Sequence, residues 1–265
     1  MSTLENVSRV LKLFTAERAT ISVSEASQLL ALPKSSTSRL LKAMARSGLL
    51  TSFDDKPGYR VGNLIFETSR RHRSNSTLSL SADEALGHIA KSTGHTGYVA
   101  MLDGTEIIGL RMRHGTRALR VVTSPGDRLP AFSSASGRAL LARLDDEAVR
   151  ALHAAPLQPP SPHAPQTLDD LLSALQVTRD KGWAQATDEC LPGVESLAIA
   201  VRDAENEETV AICISYSAAM ISANEKARIV TMLMRAGREL ALKFDDELWM
   251  APRFAAYAAP WVEAA

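Results

Sequence analysis

The residues from Ser22 to Gly62, SVSEASQLLALPKSSTSRLLKAMARSGLLTSFDDKPGYRVG, constrain the fold more than any other stretch, because starts, stops and turns follow one another in a fixed order. Ser22 with Glu25 three residues on is a capping-box signature, and it opens a short helix carrying Ala26, Leu29 and Leu30. That helix should stop near Ala31 to Leu32, since Pro33 disfavours the α conformation in the residue before it. Pro33 suits the first turn of a second helix, in which Leu40, Leu41 and Met44 recur at helical spacing before Gly48 stops it. Two short β-like runs follow, Leu49 to Phe53 and Tyr59 to Gly62, joined by the turn Asp54-Asp55-Lys56-Pro57-Gly58. Helix, tight turn, helix, hairpin is the layout of a winged helix-turn-helix.

What the second helix exposes is informative. Lys34, Ser35, Ser36, Ser38, Arg39 and Lys42 are small hydrogen-bonding or cationic residues, with no carboxylate among them. A small, polar N-terminal half can approach base edges in a major groove, while Arg and Lys reach phosphates or guanine. The bland alternative is a solvated face on an ordinary helical hairpin. Charge favours nucleic acid. The net charge of the 265-residue chain is zero, but residues 1–75 hold 12 Lys and Arg against 6 Asp and Glu, and the remainder holds 18 against 24. A basic N-terminal module on an acidic body is the footprint of a protein that meets DNA through one end.

Around this module the chain reads as two domains. Val7, Val10, Leu11 and Phe14 lie on one face of a helix candidate over residues 5–15, which would pack behind the helix-turn-helix. Asn63 to Arg73 is a connecting helix ending in the basic cluster Arg70, Arg71 and Arg73, which either contacts phosphate or simply compensates the helix dipole. Ser81 with Glu84 reads as a capping box for a helix closed by Gly94. Three β-like runs follow, Thr96 to Leu102, Glu106 to Met112 and Ala118 to Thr123, and then LPAFSSASGRALLARL reads as helical. Asp145 caps another short helix. Residues 153–166 hold five of the twelve prolines and form a surface loop.

Thr167 to Asp180 is an amphipathic helix stopped by Gly182, followed by strands at Trp183 to Asp188, Ser196 to Arg202 and Glu208 to Ser215. Ser222 with Glu225 opens a long helix to Phe244, with Ile229, Val230, Leu233, Leu240 and Leu242 as its apolar positions. Six short strands with flanking helices make an α+β domain. The aromatic tail, with Trp249, Phe254, Tyr257 and Trp261, is either a packed extension or an interaction segment. The expected divisions are 1–62 for the winged helix-turn-helix, 63–80 for the linker helix, 81–245 for the second domain and 246–265 for the tail.

The residues of a catalytic centre are not assembled. There is no G-x-S-x-G elbow, no phosphate-cradling glycine loop followed by Lys, no H-E-x-x-H and no paired C-x-x-C. The six histidines at 72, 88, 95, 114, 153 and 163 are scattered, so neither a metal site nor a cofactor is expected. Cys190 and Cys213 are too few for a disulfide framework, which points to a reducing cytoplasm. No apolar run reaches 18 residues and the start is an amphipathic helix candidate, so no membrane partner and no signal peptide are expected.

Two segments together resemble the IclR family of bacterial transcriptional regulators. They are the helix LPKSSTSRLLKAM and the downstream pair LPAFSSASGRALLA and GWAQATDECLPGVESLAIAVRD, and the likeness runs from about residue 5 to 245. The resemblance implies a winged helix-turn-helix, a connecting helix and a GAF-like effector-binding domain built on a six-stranded antiparallel sheet. It also implies homodimers or homotetramers on a double-stranded DNA operator, with a small organic acid as effector. Lys34, Ser35, Ser36, Ser38 and Arg39 match its DNA-reading helix, Ser22 matches a phosphate-contacting position, and Lys56 and Arg60 flank the wing. Ser133, Ser134 and Ala135 match the loop and helix start that hold the effector's carboxylate, where free N–H groups favour an anion. Asp188 sits in the acidic turn near that pocket, Ser196 matches a position often Cys in the family, and Cys213 and Ser215 match pocket-facing positions of the last strand.

The acidic turn has Ala186 where Asp is common, and Tyr216-Ser217 stands where Gly-Pro often closes the last strand. The run GDRLPAFSSASGRALLA, with SLAIAV and ICISYS, looks most like the branch controlling aromatic-acid catabolism through the β-ketoadipate pathway. The expectation is therefore a DNA-binding regulator, not an enzyme, that answers to an aromatic or related carboxylate. The rivals are a protein-interaction module built on the winged helix, and an enzyme acting on a small acid.

Overall fold

A computed structural model describes residues 2–15, 18–53, 57–117 and 124–257, with residues 70–75 as backbone only. The chain divides into two units, Met1–Ser76 and Thr77–Ala265.

In the first unit α1 (Thr3–Leu11) is opened by a reciprocal capping box between Ser2 and Glu5. Ser22 and Glu25 form the same box for α2 (Val23–Leu30), which ends where Ala31 turns left-handed at φ 53°. Ala26 and Leu30 of this helix are buried, whereas Leu29 is exposed. Pro33 immediately precedes α3 (Lys34–Arg46), and the Thr37 hydroxyl donates to its carbonyl at 3.1 Å. The wing is the antiparallel pair β1 (Leu50–Ser52) and β2 (Tyr59–Val61), with Ile21 bridging to Tyr59. Val10, Ile21, Ala26, Leu30, Leu41, Met44, Leu50 and Tyr59 form one core. The connecting helix α4 (Asn63–Asn75) closes the unit. Asp54, Asp55 and Lys56, expected in the wing's turn, lie outside the described residues, as do the side chains of Arg70, Arg71 and Arg73.

The second unit starts earlier than the caps implied. α5 runs Thr77–Thr93, so Ser81 is in its interior, buried, and accepts from Lys243 Nζ at 2.8 Å. The strands are β3 (Thr96–Asp103), β4 (Glu106–Arg113), β5 (Arg128–Pro130), β6 (Ala184–Thr187), β7 (Val194–Asp203) and β8 (Glu208–Ser217). They form one antiparallel sheet in the order β5-β4-β3-β8-β7-β6. The expected strand 118–123 lies outside the described residues, and β5 comes from residues the sequence reading left outside any strand or put in a helix. Arg128 to Pro130 pair with Glu106 to Ile108 at the sheet edge, where a proline, which cannot donate to the ladder, is tolerated. A 3₁₀ turn, Ala131–Ser133, then leads into α6 (Ala135–Leu141), so the expected single helix is three separate pieces.

Strand alternation sorts the sheet into two unlike faces. Val99, Leu197, Ile199, Val201, Val210, Ile212, Ile214 and Tyr216 pack with α5 and the long α9 (Ala223–Phe244). Tyr98, Ala100, Ala184, Ala186, Ala198, Ala200, Ala211 and Cys213 pack with α6 and α8 (Leu168–Lys181), beside α7 (Asp146–Leu152). Thr167 and Asp170 cap α8 reciprocally. At α9 the Ser222 hydroxyl caps the Glu225 N–H, but the Glu225 carboxylate is diverted to His95 Nε2 at 3.1 Å and Arg117 Nη2 at 2.8 Å.

The tail is packed as far as Tyr257. α10 (Glu247–Met250) buries Trp249 completely, with Nε1 donating to the Ala200 carbonyl at 2.9 Å. The ring lies on Gly237 of α9, where an added Cβ would fall 2.6 Å from Trp249 Cη2. Phe254 stacks on Trp249 with ring centroids 5.0 Å apart, and Trp261 lies outside the described residues.

Candidate functional sites

The first candidate site is the exposed side of α3 with the wing. The helix packs inward through Thr37, Leu41 and Met44. Lys34, Ser35, Arg39 and Lys42 are consequently exposed, while Ser36 and Ser38 are half-buried. No acidic residue lies between Lys34 and Arg46, so the exposed surface of the helix is uniformly positive or neutral. Ser22 is half-buried at the start of α2, where its backbone N–H and hydroxyl hold the Glu25 carboxyl below its ordinary pKa. Arg60 is exposed on β2 with its guanidinium 5.6 Å from the centre of the Phe53 ring, which steadies an otherwise mobile cation. Lys56 lies outside the described residues.

The second candidate site is a cavity on the small-residue face of the sheet, with a free volume of about 60 Å³. Its floor exists because Ala, Ser and Cys stand where larger residues would fill the layer. Ser196 and Ser215 are register partners on β7 and β8, and their hydroxyls bond at 2.8 Å. Cys213 lies 3.9 Å from the Ser215 hydroxyl, and burial pushes its thiol up despite the hydroxyls of Ser136, Ser215 and Ser196. Tyr98, the register partner of Cys213 on the neighbouring β3, adds an apolar wall with Ile107 of β4 and Leu129 of β5. Ser134 caps α6 by accepting from Gly137 N–H at 3.0 Å, and Ala135 and Ser136 follow it into the lining.

Of the expected effector-site residues, the structure brings Ser134, Ala135, Ser196, Cys213 and Ser215 to this cavity. Ser133 is wholly buried behind it, its hydroxyl donating to Pro130 O at 3.4 Å. Asp188 is not in the lining. It adopts φ 58°, accepts from Gly193 N–H at 2.5 Å and donates its own N–H to Val194 O at 2.9 Å, so it shapes the β6–β7 turn. Cys190, next along that turn, lines the cavity, and its thiol too is pushed up by burial. Two protonated thiols leave no activated nucleophile here. Among the described residues no three His, Cys, Asp or Glu side chains gather in a way that could hold a metal ion.

Sequence reasoning missed the ion pair of Arg138 and Glu189. Arg138 is 4% exposed, and its guanidinium grips both Glu189 oxygens, one at 2.8 Å, and also donates to the Gln185 carbonyl. Behind the pair lies an open groove of about 590 Å³ between α8, the end of the proline-rich loop and β6. A signal for Arg138 was available: it is the one charged residue in the otherwise small and apolar helix ASGRALL. Its partner, 51 residues away, was not legible.

Residues 3–52 match the IclR helix-turn-helix domain, and residues 73–242 match the C-terminal domain of bacterial IclR transcriptional regulators. The Pca regulon regulatory protein of Pseudomonas putida is 26% identical over 243 residues, which cover 91% of this chain and 83% of that protein. The HTH-type transcriptional regulator XynR of Escherichia coli (strain K12) is 26% identical over 244 residues, covering 91% of this chain and 96% of that one. A solved structure of an IclR homolog from Microbacterium hydrocarbonoxydans, complexed with 4-hydroxybenzoate, superposes with a TM-score of 0.77 at 21% identity over 92% of this chain and 99% of that one.

Proposed function

The chain belongs to the IclR family of bacterial transcriptional regulators, DNA-binding proteins with an effector-binding C-terminal domain, and from that membership we propose how its own residues divide the work. α3 enters the major groove of an operator: Lys34, Ser35, Ser36, Ser38 and Arg39 face the bases and nearby phosphates, and Ser22, Lys56 and Arg60 hold the flanking backbone. The observation that carries this reading is the exposed, carboxylate-free side of α3, set against the buried Thr37, Leu41 and Met44. The protein acts in the cytoplasm as a homodimer or homotetramer, so half-site spacing in the operator mirrors the spacing of paired modules.

The effector is a small organic acid held in the small-residue cavity by Ser134, Ala135, Ser196, Cys213 and Ser215, with Ser133 buried in the turn before α6 and Asp188 holding the β6–β7 turn. An apolar wall of Tyr98, Ile107 and Leu129 beside a hydroxyl cluster suits a flat aromatic carboxylate, the class bound by the Microbacterium homolog. The family regulates transcription and does not catalyse, in keeping with two thiols that burial keeps protonated.

The test is binding to DNA selected from a random pool, measured against salt. Affinity should fall steeply as salt rises, because phosphate contacts release counterions. Arg39→Ala should cost about 1–3 kcal/mol. Unchanged affinity in Arg39→Ala would reject this register of α3. For the cavity, thermal shifts against a carboxylate panel should show a hit that Ser134→Trp abolishes.

A further inference from the structure

The cavity wall poses a problem for an acid. Among the described residues no Lys, Arg or His lines it, and two of its members, Asp127 and Glu189, are carboxylates. The serine hydroxyls and the N–H groups at the start of α6 offer a bound carboxylate hydrogen bonds, but the wall gives it like charge and no counter-charge. Among the described residues Arg138 is the one buried Lys or Arg, and Glu189 occupies it. Glu189 lines both the inner cavity and the outer groove, whereas Arg138 lines only the groove. The ion pair is therefore the partition between the two spaces.

We propose that Arg138 recognises the effector's carboxylate and that Glu189 is its built-in competitor, so that acid binding displaces Glu189 and frees the β6–β7 turn. The proposal rests on the cavity being the effector site. A carboxylate replacing a carboxylate on the same guanidinium fork keeps the buried cation paired throughout, which makes exchange feasible where simple loss of the partner is not. Glu189 cannot leave alone. It follows Asp188, whose side chain ties to Gly193 N–H at 2.5 Å and whose carbonyl accepts from the Ser161 hydroxyl at 2.8 Å. Displacing Glu189 loads both ties, so the turn 188–193 and the proline-rich loop bearing Ser161 move with it. A neutral ligand of the same shape has no means of exchanging with Glu189 and leaves the turn in place. The device thus selects acids by charge even though the cavity itself presents none of the matching sign.

The experiment measures calorimetric affinities of the full-length protein for benzoate and 4-hydroxybenzoate, and for the corresponding amides. It compares wild type, Glu189→Gln, the double variant Arg138→Gln/Glu189→Gln, and Ser134→Trp. Glu189→Gln should bind its acid at least tenfold tighter with the amide unchanged, and the double variant should lose the preference for acid over amide. In the wild type, saturating acid, and not amide, should speed hydrogen exchange across residues 188–193. Equal acid affinity in wild type and Glu189→Gln, with the turn's exchange unaltered, overturns the latch and leaves the cavity as the effector site. Acid binding that survives Ser134→Trp, or that occurs in none of the proteins, overturns the cavity reading and the latch with it. If Glu189→Gln does not fold, the wild-type exchange measurement decides alone: faster exchange with acid supports the latch, unchanged exchange overturns it.

Discussion

The two faces of the C-terminal sheet are built from the same strands and behave oppositely. On β7 and β8, Leu197, Ile199, Val201, Val210, Ile212, Ile214 and Tyr216 fill one side completely against α5 and α9. One residue along, Ser196, Ala198, Ala200, Ala211, Cys213 and Ser215 occupy the other side and leave room. Part of that room is taken by α6, whose Ala135, Ala139 and Leu140 pack into the same layer. The rest is the cavity. The contrast teaches that a binding site in such a sheet is made by omitting side-chain volume on one face while the other supplies the stability.

Breaking the filled face should have the largest effect. Ile212→Ala removes buried apolar volume where neighbours cannot collapse, and should lower unfolding free energy in denaturant by about 2–5 kcal/mol. A loss below about 1 kcal/mol would show that this face is not the stabilising one. Filling the small face should cost somewhat less. Ala200→Leu overpacks the layer and is expected to cost about 1–3 kcal/mol in the same assay. If it stabilised the protein, the small residues would be leaving idle space, not accommodating α6.

Acid should weaken the protein through histidines on both sides of the sheet. Burial holds His153 below its ordinary pKa, where its ring meets Phe132 edge-on at 6.2 Å. Burial also lowers His95, outweighing the bond to Glu225. A depressed histidine pKa means that the unfolded chain takes up the proton first. Stability is therefore level above about pH 6.5 and falls as pH drops below it, by at most about 1.4 kcal/mol per pH unit for each group. Denaturation midpoints from pH 7.5 to 5 should show this fall. His153→Phe should flatten it in part, and an unaltered slope would assign the effect elsewhere.

How much of this was legible in the sequence depended on range. The box at Ser22–Glu25, the helix from Thr167 with its stop at Gly182 and the β-like runs of β7 and β8 are local patterns, and the chain adopts them. Ser81–Glu84 carries the same local signature and does not cap, because α5 already starts at Thr77 and Ser81 lies inside it, its hydroxyl accepting from Lys243, 162 residues away. Arg128–Pro130 is too short to announce a strand and becomes one only by pairing with Glu106 to Ile108. In the candidate site the serines and Cys213 were reached through the family resemblance, as positions matching its effector pocket. The Arg138–Glu189 partition was not, because nothing within either segment encodes the other.

The smallest expected effect is also the sharpest test of why polar atoms sit on the small face at all. Ser196 and Ser215 satisfy each other at 2.8 Å, so for stability alone the pair could be replaced by two alanines at little cost. Removing one hydroxyl strands the other, which should cost about 0.5–1.5 kcal/mol, whereas the double variant Ser196→Ala/Ser215→Ala should recover most of that loss. Effector affinity should behave differently. If the hydroxyls serve a ligand, the double variant stays stable and binds its acid several-fold more weakly, and the calorimetric and denaturation series diverge. If both series recover together, the pair is packing and the ligand is held by α6 and Arg138. The filled face offers no counterpart to this test, because Ile212 and Leu197 carry no group whose loss could separate binding from folding.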